Sequence, residues 1–464
     1  AMASYSSIGL ENTSCWQVFW ANASQMWACY SDIRGMRSID MGEKWSFNYT
    51  GHTANTSYRI TKLANGTLLA GTSNIHDIYQ STYLTDARLD PTDANGKIIY
   101  STNNGQSWQL LKQFSHPVFW LVTDPNNANR AYASVIHYSS NTGIGGIYRC
   151  DNVNSLASST WTLLPNPPRT EKHPACIVVL NDGKMVCTYS GRRNAAGTFT
   201  ASSGVFLYDP VTNTFTDKSH PGMHYWTKDI VIDPNDPAQN TWYVCVFSGW
   251  GGAPNGLGGL YKTTNRGTSW VKLTGSLIDR VTSITFNPLQ TAEVYLTTEG
   301  QGLWKCTNIL AASPVFEIVD AYPFQQPERV FFNPYDASEM WVTSFGNRKK
   351  KTILPNAACG VVSQFTDYGP GSLPYAIDCA APGDTITFSA QMTADTIELN
   401  NHLYLDKSIT LSNPHAQKVK IRTQSYALMN IDRQASVVLD NLELIPGSTG
   451  LSIRNHGQLV MKNT

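Results

Sequence analysis

The sequence predicts an all-β fold whose larger part, residues 1–346, is a seven-bladed β-propeller. Two observations predict it: one turn pattern occurs three times, and the chain divides into β-rich units at regular spacing. A third observation, a change of pattern after residue 346, predicts a separate C-terminal region of short repeated strands.

The turn pattern is clearest at residues 101–108, which read Ser-Thr-Asn-Asn-Gly-Gln-Ser-Trp. The same order of a hydroxyl residue, Asp or Asn, Gly and Trp occurs at 38–45 and at 263–270, each time after a short apolar run. In a tight hairpin the Asp or Asn side chain accepts backbone N–H bonds, and Gly takes the positive φ. The pattern resembles the Asp-box of the sialidase and BNR-repeat propellers, and three matched copies indicate a propeller.

The regular spacing comes from units of roughly 40 to 60 residues, each with two β-rich runs separated by a turn. The seven units begin near Trp16, Tyr58, Val118, Ala175, Trp226, Val281 and Val330. The seventh unit stops after residue 345, two strands short, so we expect residues near 6–15 to supply an outer strand. Closing the ring in this way leaves no long exposed strand edge.

The C-terminal region begins after a polar, basic linker expected at residues 347–365 and extends from 366 to 464. Residues 369–377 and 381–388 resemble the opening of the right-handed parallel β-helix repeats of bacterial surface proteins. Short strands then recur near Ile397, Ile409, Val419, Met429, Val438, Leu451 and Leu459. The region is therefore predicted to be a partial right-handed parallel β-helix. Because it stops in mid-solenoid at Thr464, we expect the natural protein to be longer.

The composition limits the classes of partner. The chain has 464 residues, of which 41% are hydrophobic, enough for a large core. Lys plus Arg and Asp plus Glu both number 34, which argues against a nucleic-acid partner, and no apolar run approaches the ~20 residues of a membrane span. A low charged fraction of 15% with many Asn, Thr, Ser, Gly and Tyr is common in secreted carbohydrate-handling β proteins. We expect a secreted or cell-surface monomer whose partner is a polysaccharide or oligosaccharide.

The nine cysteines show no metal-binding CxxC pair, and most lie in strand-like runs, so we expect them to be buried apolar residues. Cys359 and Cys379 flank a loop-rich junction and are the candidate disulfide.

The functional site is predicted on one face of the propeller. The innermost strand of each blade begins at this face, here called the top face, and the loops between second and third strands lie there too. The turn repeats lie on the opposite face. The long and chemically rich loops, including residues 74–95, fall on the top face, where loops carry most binding and catalytic residues.

Asp32 is the first catalytic candidate. Residues 27–38 resemble the "DIGG" stretch of the two-propeller xyloglucan-active endo-glucanases, and the resemblance implies that Asp32 is a catalytic carboxylate. Arg34 replaces a Gly of that motif, and the family's second carboxylate lies on a second propeller that this sequence lacks. A glycosidase needs a second carboxylate roughly 5 to 9 Å away. The available partners are Asp77, Asp86, Asp90 and Glu299. The alternative is that Asp32 caps its own turn.

Arg59 is a candidate for substrate binding. Residues 58–61 and 65–70 resemble the opening of sialidases, whose Arg begins a triad that grips a carboxylate. Thr61 replaces the Pro of that motif, and Arg192, Arg280 and Arg329 cannot be ranked as its partners, so a structural role in the blade is the alternative. Trp120 and several other aromatic residues lie where they can stack on sugar rings. The predicted substrate-binding set is His76, Tyr79, Arg59, Tyr138, Arg192, Trp226 and Trp250.

The function favoured by the sequence is a secreted glycoside hydrolase that acts on an extracellular polysaccharide through a carboxylate pair, drawn from Asp32, Asp77 and Glu299. One alternative is a non-catalytic surface module that binds glycan or protein. The other is a metal-dependent polysaccharide lyase, in which histidines at the blade joins, His52, His116, His173 and His224, would surround a divalent metal. No cofactor is expected apart from such a metal.

Overall fold

The computed structural model describes residues 6–7, 13–75, 95–136, 144–191, 200–225, 227–247, 255–345, 350–353, 360–365, 371–393, 395–423, 425, 427–445 and 453–464. The chain divides into two compact units. The first comprises Ser6–Phe331 and Trp341–Lys350, and the described part of the second comprises Phe332–Met340 and Lys351–Thr464.

The strands of the first unit form sheets numbered here by their order in the chain. A short strand, β1 (Ser6–Ser7), precedes them. Sheet 1 contains β2 (Cys15–Trp20), β3 (Met26–Tyr30) and β4 (Gly35–Ser38). Sheet 2 contains β5 (Thr56–Lys62), β6 (Leu68–Ser73), β7 (Lys97–Ser101) and β8 (Gln109–Gln113). Sheet 3 contains β9 (Val118–Asp124), β10 (Asn127–Val135), β11 (Gly146–Cys150) and β12 (Trp161–Leu163).

Sheets 4 to 7 follow the same order along the chain. Sheet 4 contains β13 (Pro174–Val179), β14 (Met185–Tyr189), β15 (Gly204–Asp209) and β16 (Thr214–Asp217). Sheet 5 contains β17 (Thr227–Ile232), β18 (Trp242–Val246), β19 (Gly259–Thr263) and β20 (Val271–Lys272). Sheet 6 contains β21 (Val281–Asn287), β22 (Gln290–Thr298), β23 (Leu303–Cys306) and β24 (Glu317–Ile318). Sheet 7 contains β25 (Pro327–Asn333), β26 (Asp336–Ser344), β27 (Lys350–Ile353) and, outermost, β1.

Sheets 2 to 7, each of four strands, are the blades of a β-propeller. The structure therefore has six four-stranded blades and not the seven that the sequence predicts, because the first predicted unit forms a three-stranded sheet among the described residues. Sheet 1 has three strands because of the path that the chain takes just after β4. Ser46 makes one bridge with Arg37, and the chain then leaves the sheet, because the backbone of Thr50 pairs with residues 106–108 of sheet 2. As predicted, N-terminal residues supply the outermost strand of the last sheet.

Sheet 1 packs between sheets 7 and 2. On one side Trp20 meets Trp341 edge-to-face, with ring centres 6.5 Å apart. On the other side Trp27 meets Trp108 at 5.2 Å, also edge-to-face. Such aromatic pairs contribute about 1 kcal/mol each beyond the burial of apolar area. The seam between first and last strands of the ring is thus closed by aromatic packing as well as by β1.

The three turn repeats have the same hydrogen bonds. In each, the hydroxyl oxygen accepts the N–H of Gly, and Oδ1 of Asp or Asn accepts the N–H four residues later, with distances of 2.8 to 3.0 Å. The glycines Gly42, Gly105 and Gly267 have φ of 90°, 82° and 75°. The turn geometry predicted from the sequence is therefore confirmed, and each turn follows the third strand of its sheet, β4, β7 or β19.

The second unit is built mainly of parallel strands. They are β28 (Val361–Val362), β29 (Thr385–Phe388), β30 (Thr396–Leu399), β31 (Leu403–Leu405), β32 (Ile409–Ser412), β33 (Val419–Thr423), β34 (Met429–Ile431), β35 (Ser436–Asp440), β36 (Leu442–Ile445), β37 (Ile453–Asn455) and β38 (Gln458–Lys462). They form three parallel sheets, β28-β29-β32-β35-β38, β30-β33-β36 and β31-β34-β37. Alternate residues such as Ile386, Leu411 and Leu439 are buried in one apolar core.

A short helix of the second unit, α1 (Leu373–Cys379), is not predicted from the sequence. Ser372 caps it by accepting the N–H of Tyr375 at 3.3 Å, and Pro374 occupies the first turn, where its missing N–H does no harm. The described residues also contain three 3₁₀ helices, Val153–Ser158, Pro221–Met223 and Ala390–Thr393. Two strands, β27 and β28, lie within residues 347–365, where the sequence predicts a linker. No helix in the described part of the chain has the length and apolar character needed to cross a membrane.

Seven of the cysteines are buried free thiols, as expected from their strand-like surroundings. Cys379 is disulfide-bonded, and its predicted partner Cys359 lies outside the described residues.

Candidate functional site

The candidate site lies where the innermost strands of the propeller begin. In the sheets formed by consecutive strands each strand is antiparallel to the next, so the first strand starts at the top face and the second returns to it. The first strands, β2, β5, β9, β13, β17, β21 and β25, pack against one another around a central channel. Side chains near their beginnings therefore surround the upper end of that channel.

These inner strands carry a bulge near the top face. In β2, β5, β9, β13, β17 and β21 the pairing with the second strand skips at least one residue close to that end. A bulged residue is released from the strict alternation of the strand, and its side chain can be aimed in a new direction. Six of the skipped residues line one cavity: Trp16, Tyr58, Phe119, Ala175, Cys176 and Lys228.

The cavity is small, with a volume of about 30 Å³, room for no more than a few water molecules. One wall is aromatic: the ring centres of Trp16, Tyr58 and Phe119 lie 5.4 to 5.6 Å from one another. The full lining is Trp16, Tyr58, Arg59, Phe119, Trp120, Ala175, Cys176, Lys228, Glu328 and Arg329.

The opposite wall is charged. Nζ of Lys228 lies 2.9 Å from Oε2 of Glu328, and a terminal guanidinium nitrogen of Arg329 lies 2.8 Å from Oδ2 of Asp229. Asp229 is fully buried, so its charge depends on that partner. Burial alone would lower the pKa of Arg329, but the neighbouring Asp229 carboxylate raises it above its ordinary value.

Arg59 and Trp120 form the boundary of the cavity. The guanidinium carbon of Arg59 lies 3.8 Å from the centre of the Trp120 ring, and that of Arg329 lies 5.3 Å from the same centre. Burial, followed by repulsion from Arg329, lowers the pKa of Arg59 to about 10. Arg59, Trp120, Cys176 and Arg329 also line a second cavity of about 500 Å³, so their side chains lie between the two.

Asp32 is exposed, in the turn between β3 and β4 on the top face. The N–H of Asp32 donates to Oγ1 of Thr56 at 3.3 Å, and Nδ2 of Asn55 donates to Oδ1 of Asp32 at 3.4 Å. Asp32 and Arg34 have φ of 64° and 71°, a conformation that residues other than Gly rarely adopt. The start of the neighbouring sheet therefore holds this carboxylate in a strained turn.

Glu299 follows β22, also on the top face, and its side chain is buried. Its N–H donates to the carbonyl of Arg280 at 3.0 Å, and its Oε2 lies 3.9 Å from a guanidinium nitrogen of Arg280. Asp32 belongs to sheet 1 and Glu299 to sheet 6, with sheet 7 between them in the ring.

The other predicted site residues lie outside the described residues. They are His76, Asp77, Tyr79, Tyr138, Arg192, Trp226 and Trp250, together with Asp86 and Asp90. Of the histidines at the blade joins, His52, His116 and His173 are buried. Within the described ranges there is no group of three His, Cys, Asp or Glu side chains placed to hold a metal ion.

Lys228, Asp229 and Glu328 are not singled out by sequence reasoning. A signal is present in the sequence: each is a charged residue at the second or third position of a strand that is otherwise largely apolar. The bulge determines which of these side chains face the channel. Because the bulge cannot be read from the sequence, the sequence does not show that these charges line a cavity.

No protein-family model and no curated protein matches the sequence. Among solved structures, the chain is similar to an ancestral GH74 enzyme, with a TM-score of 0.53 and 14% identity over 77% of this chain and 47% of that one. It is also similar to YCF48 bound to D1 peptide, with a TM-score of 0.51 and 11% identity over 77% of this chain and 96% of that one. The GH74 enzyme from Niastella koreensis gives a TM-score of 0.48 and 18% identity over 71% of this chain and 50% of that one.

The two similarities with TM-scores above 0.5 establish the class of fold, an all-β propeller, and at such low identities they establish the fold alone. The chain spans about half the length of the GH74 enzymes that it resembles.

Proposed function

We propose that the protein is a secreted or cell-surface glycoside hydrolase that binds a polysaccharide on the top face of its propeller, as a monomer. The observation that carries the proposal is the position of Asp32. Asn55, the residue before β5, donates a hydrogen bond to its exposed carboxylate, and Tyr58 and Arg59 of β5 line the aromatic cavity. A carboxylate beside an aromatic wall suits a sugar, whose apolar ring faces stack on aromatic rings.

The backbone at Arg34 supports the resemblance of residues 32–35 to the "DIGG" motif. Arg34 stands where that motif has a Gly, and its φ of 71° lies in the left-handed region that Gly adopts without strain. The turn thus keeps the conformation a glycine would favour, although the side chain differs. The propeller of the ancestral GH74 enzyme lends further support at the level of fold.

In the proposed reaction Asp32 is the base or the nucleophile, and Asp77 or Glu299 is the acid. The predicted substrate-binding residues would line the path of the glycan: His76, Tyr79, Arg59, Tyr138, Arg192, Trp226 and Trp250.

The test is to incubate the protein and its Asp32→Asn variant with a panel of neutral and acidic polysaccharides. New reducing ends and the ultraviolet absorbance of unsaturated uronates are followed together. Reducing ends without absorbance, lost in Asp32→Asn, are the expected result. Glu299→Gln and Asp77→Asn then identify the acid, because only its loss should be rescued by substrates with a good leaving group. Absorbance would indicate the lyase instead, and a chelator would test its metal.

A non-catalytic binding module is the second candidate, and one observation favours it. Both carboxylates that line the two cavities in the described chain, Asp229 and Glu328, are held in ion pairs. Neither is available for proton transfer without breaking its pair. YCF48, a propeller of the same fold, was solved with a peptide bound. Glycan or peptide binding without any product across the panel would support this second candidate.

The architecture is proposed in more detail as follows. Sheet 1 is the seventh blade, since it packs between sheets 7 and 2, and the three turn repeats are Asp-boxes. The three parallel sheets are successive faces of a right-handed β-helix, because each strand pairs with its counterpart one turn later along the chain. The proposed domains are a propeller at 1–346, a linker at 347–365 and the β-helix at 366–464.

A further inference from the structure

Three arginines of the described chain have a positive φ, and they differ in what their side chains contact. Arg34, Arg169 and Arg266 have φ of 71°, 57° and 53°, a conformation that residues other than Gly rarely adopt. Such strain persists only where the surroundings compensate for it, and it often occurs at functional sites. The contacts of each guanidinium therefore indicate why an arginine occupies each turn.

Arg169 and Arg266 have internal partners. The Arg169 guanidinium donates to the carboxylate of Asp217 at 2.8 Å and to the hydroxyl of Ser219 at 2.9 Å, and it also reaches two backbone carbonyls. The Arg266 guanidinium donates to the carboxylate of Asp182 and to one backbone carbonyl. Each of these side chains joins two segments of the propeller, and these bonds compensate for its strained turn.

The backbone of Arg34 is held in place, but its side chain has no comparable contacts. Its N–H donates to the carbonyl of Asn55 at 2.7 Å, and its carbonyl accepts the N–H groups of Tyr30 and Ser57 at 3.2 and 3.1 Å. The side chain is exposed, and within the described ranges it makes neither a hydrogen bond nor an ion pair. No internal contact of the guanidinium therefore explains an arginine in this turn.

Arg34 lies beside the reacting carboxylate of the proposed hydrolase. Asp32 and Arg34 belong to one turn between β3 and β4 on the top face, and two residues of chain span at most about 7 Å. A sugar unit bound at Asp32 is therefore within reach of the long Arg34 side chain. A Gly at this position, as in the "DIGG" motif, would remove the strain but could not make such a contact.

We propose that Arg34 is a specificity-determining residue that binds the glycan next to Asp32, an assignment that rests on the function proposed above. The edge of the planar guanidinium carries N–H donors in a fixed fork, and two of them can bond two neighbouring hydroxyl oxygens of one sugar ring. The ligand is a neutral sugar unit with free adjacent hydroxyls, beside the bond that Asp32 cleaves. Because three backbone hydrogen bonds already hold Arg34, only its side chain must be ordered when the glycan binds.

The first measurement is the thermal midpoint of the full chain in Arg34→Gly and Arg266→Gly, two variants that each remove an arginine from a positive-φ turn. The midpoint of Arg34→Gly should equal or exceed that of the wild type, because strain is removed and no internal contact is lost. Arg266→Gly should lower the midpoint, because its bond to Asp182 is lost.

The second measurement is glycan binding by calorimetry, with Asp32→Asn in every protein so that nothing is cleaved. The probes are neutral glucan, xylan and mannan, and acidic polygalacturonate and alginate. Arg34→Gly should raise the Kd for a neutral glycan about tenfold, as expected for the loss of two hydrogen bonds. Arg34→Lys keeps the charge and loses the fork, so its Kd should be about fivefold above the wild-type value. Arg266→Gly should keep the wild-type Kd.

The third measurement is the rate of new reducing ends with Asp32 restored. In Arg34→Gly the KM should rise by the same factor as the Kd, and kcat should stay within about twofold, because the reacting carboxylate is unchanged.

The proposal is overturned if Arg34→Gly lowers the midpoint as Arg266→Gly does, if no neutral glycan binds, or if Kd and KM keep their wild-type values. A Kd that rises for acidic glycans alone would also overturn it, because Arg34 would then bind a carboxylate and not hydroxyls. Binding that depends on Arg34 without any new reducing ends would contradict the hydrolase and support the binding residue. Cleavage with an unchanged KM in Arg34→Gly would do the reverse.

Discussion

Lys228 of β17 and Glu328 of β25 form an ion pair of 2.9 Å inside the channel, although sheet 6 lies between their sheets in the ring. Their side chains are 11% and 7% exposed, so the pair is largely removed from water. The ion pair connects two sheets that are not neighbours.

Lys228→Met should therefore destabilise the propeller by about 3 kcal/mol, because it leaves the Glu328 carboxylate buried and unpaired. Urea unfolding at neutral pH measures the loss. The double variant Lys228→Met/Glu328→Leu should recover most of it, since no unpaired charge remains. Exposed Lys44 is the control, and Lys44→Met should change stability by no more than about 0.5 kcal/mol. An unchanged Lys228→Met would contradict the inferred burial.

The stability of the protein should fall in acid because of His52. Burial, followed by the positive charges of Arg34 and Lys97, lowers the pKa of His52 to about 3, from an ordinary value of 6.5. Between these two values the unfolded chain binds a proton at this residue and the folded chain does not. The contribution of neutral His52 to the free energy of unfolding is therefore complete above pH 6.5 and is lost as pH falls toward 3.

His52→Gln should reduce the slope of the free energy of unfolding against pH by roughly 1 kcal/mol per pH unit between pH 6 and 4. Urea unfolding of both proteins at pH 7, 6, 5 and 4 gives the difference. His456→Gln, which changes an exposed histidine, should leave the slope as it is. Equal slopes for wild type and His52→Gln would show that His52 is protonated in the folded state.

Gly105 of a turn repeat and Gly66 of the turn between β5 and β6 form a matched pair of glycines. Gly105 and Gly66 have φ of 82° and 88°, but a Cβ on Gly105 would lie 2.0 Å from Nε1 of Trp27, whereas a Cβ on Gly66 would meet nothing within 4 Å. Gly66→Ala should cost about 1 kcal/mol from backbone strain alone. Gly105→Ala should cost about 3 kcal/mol, because the Trp27 ring must also move. Equal losses in chemical denaturation would mean that the ring is not packed on this turn.

Arg34→Gly should stabilise the turn that carries Asp32. The φ of 71° strains an Arg and not a Gly, and the side chain of Arg34 is exposed, so little packing is lost. We expect a gain of about 0.5 kcal/mol, against a loss of about 1 kcal/mol for Arg454→Gly, at an exposed position within strand β37. Urea unfolding of the wild type and both variants measures the difference.

The repeating parts of the fold could be predicted because their signals are local. The inner strands begin close to the predicted unit starts, and each turn repeat contains its own hydrogen-bond donors and acceptors. The missing fourth strand of sheet 1 could not be predicted, since it depends on Thr50 pairing with Ser107 of another sheet. The helix α1 could not be predicted either, because its short apolar stretch shows no helical periodicity.

The cavity was less predictable than the fold. Arg59 and Trp120 were identified as candidates from the sequence, but their stacking joins sheets 2 and 3 and depends on both strands. Asp229 and Glu328 acquire their roles from partners in distant sheets, Arg329 and Lys228. Residue type alone could not indicate that these charges would face one another.

The bulges in the inner strands separate the backbone pairing of the sheets from the lining of the cavity. Backbone pairing between first and second strands continues on the far side of each bulge, so the framework does not depend on which side chain occupies the bulged position. Each sheet contributes its own short segment of the cavity wall. A substitution at Trp16, Tyr58 or Phe119 therefore changes the wall of the cavity without changing the backbone pairing of its sheet. The lining of the cavity can therefore change by single replacements, one sheet at a time, without refolding the propeller.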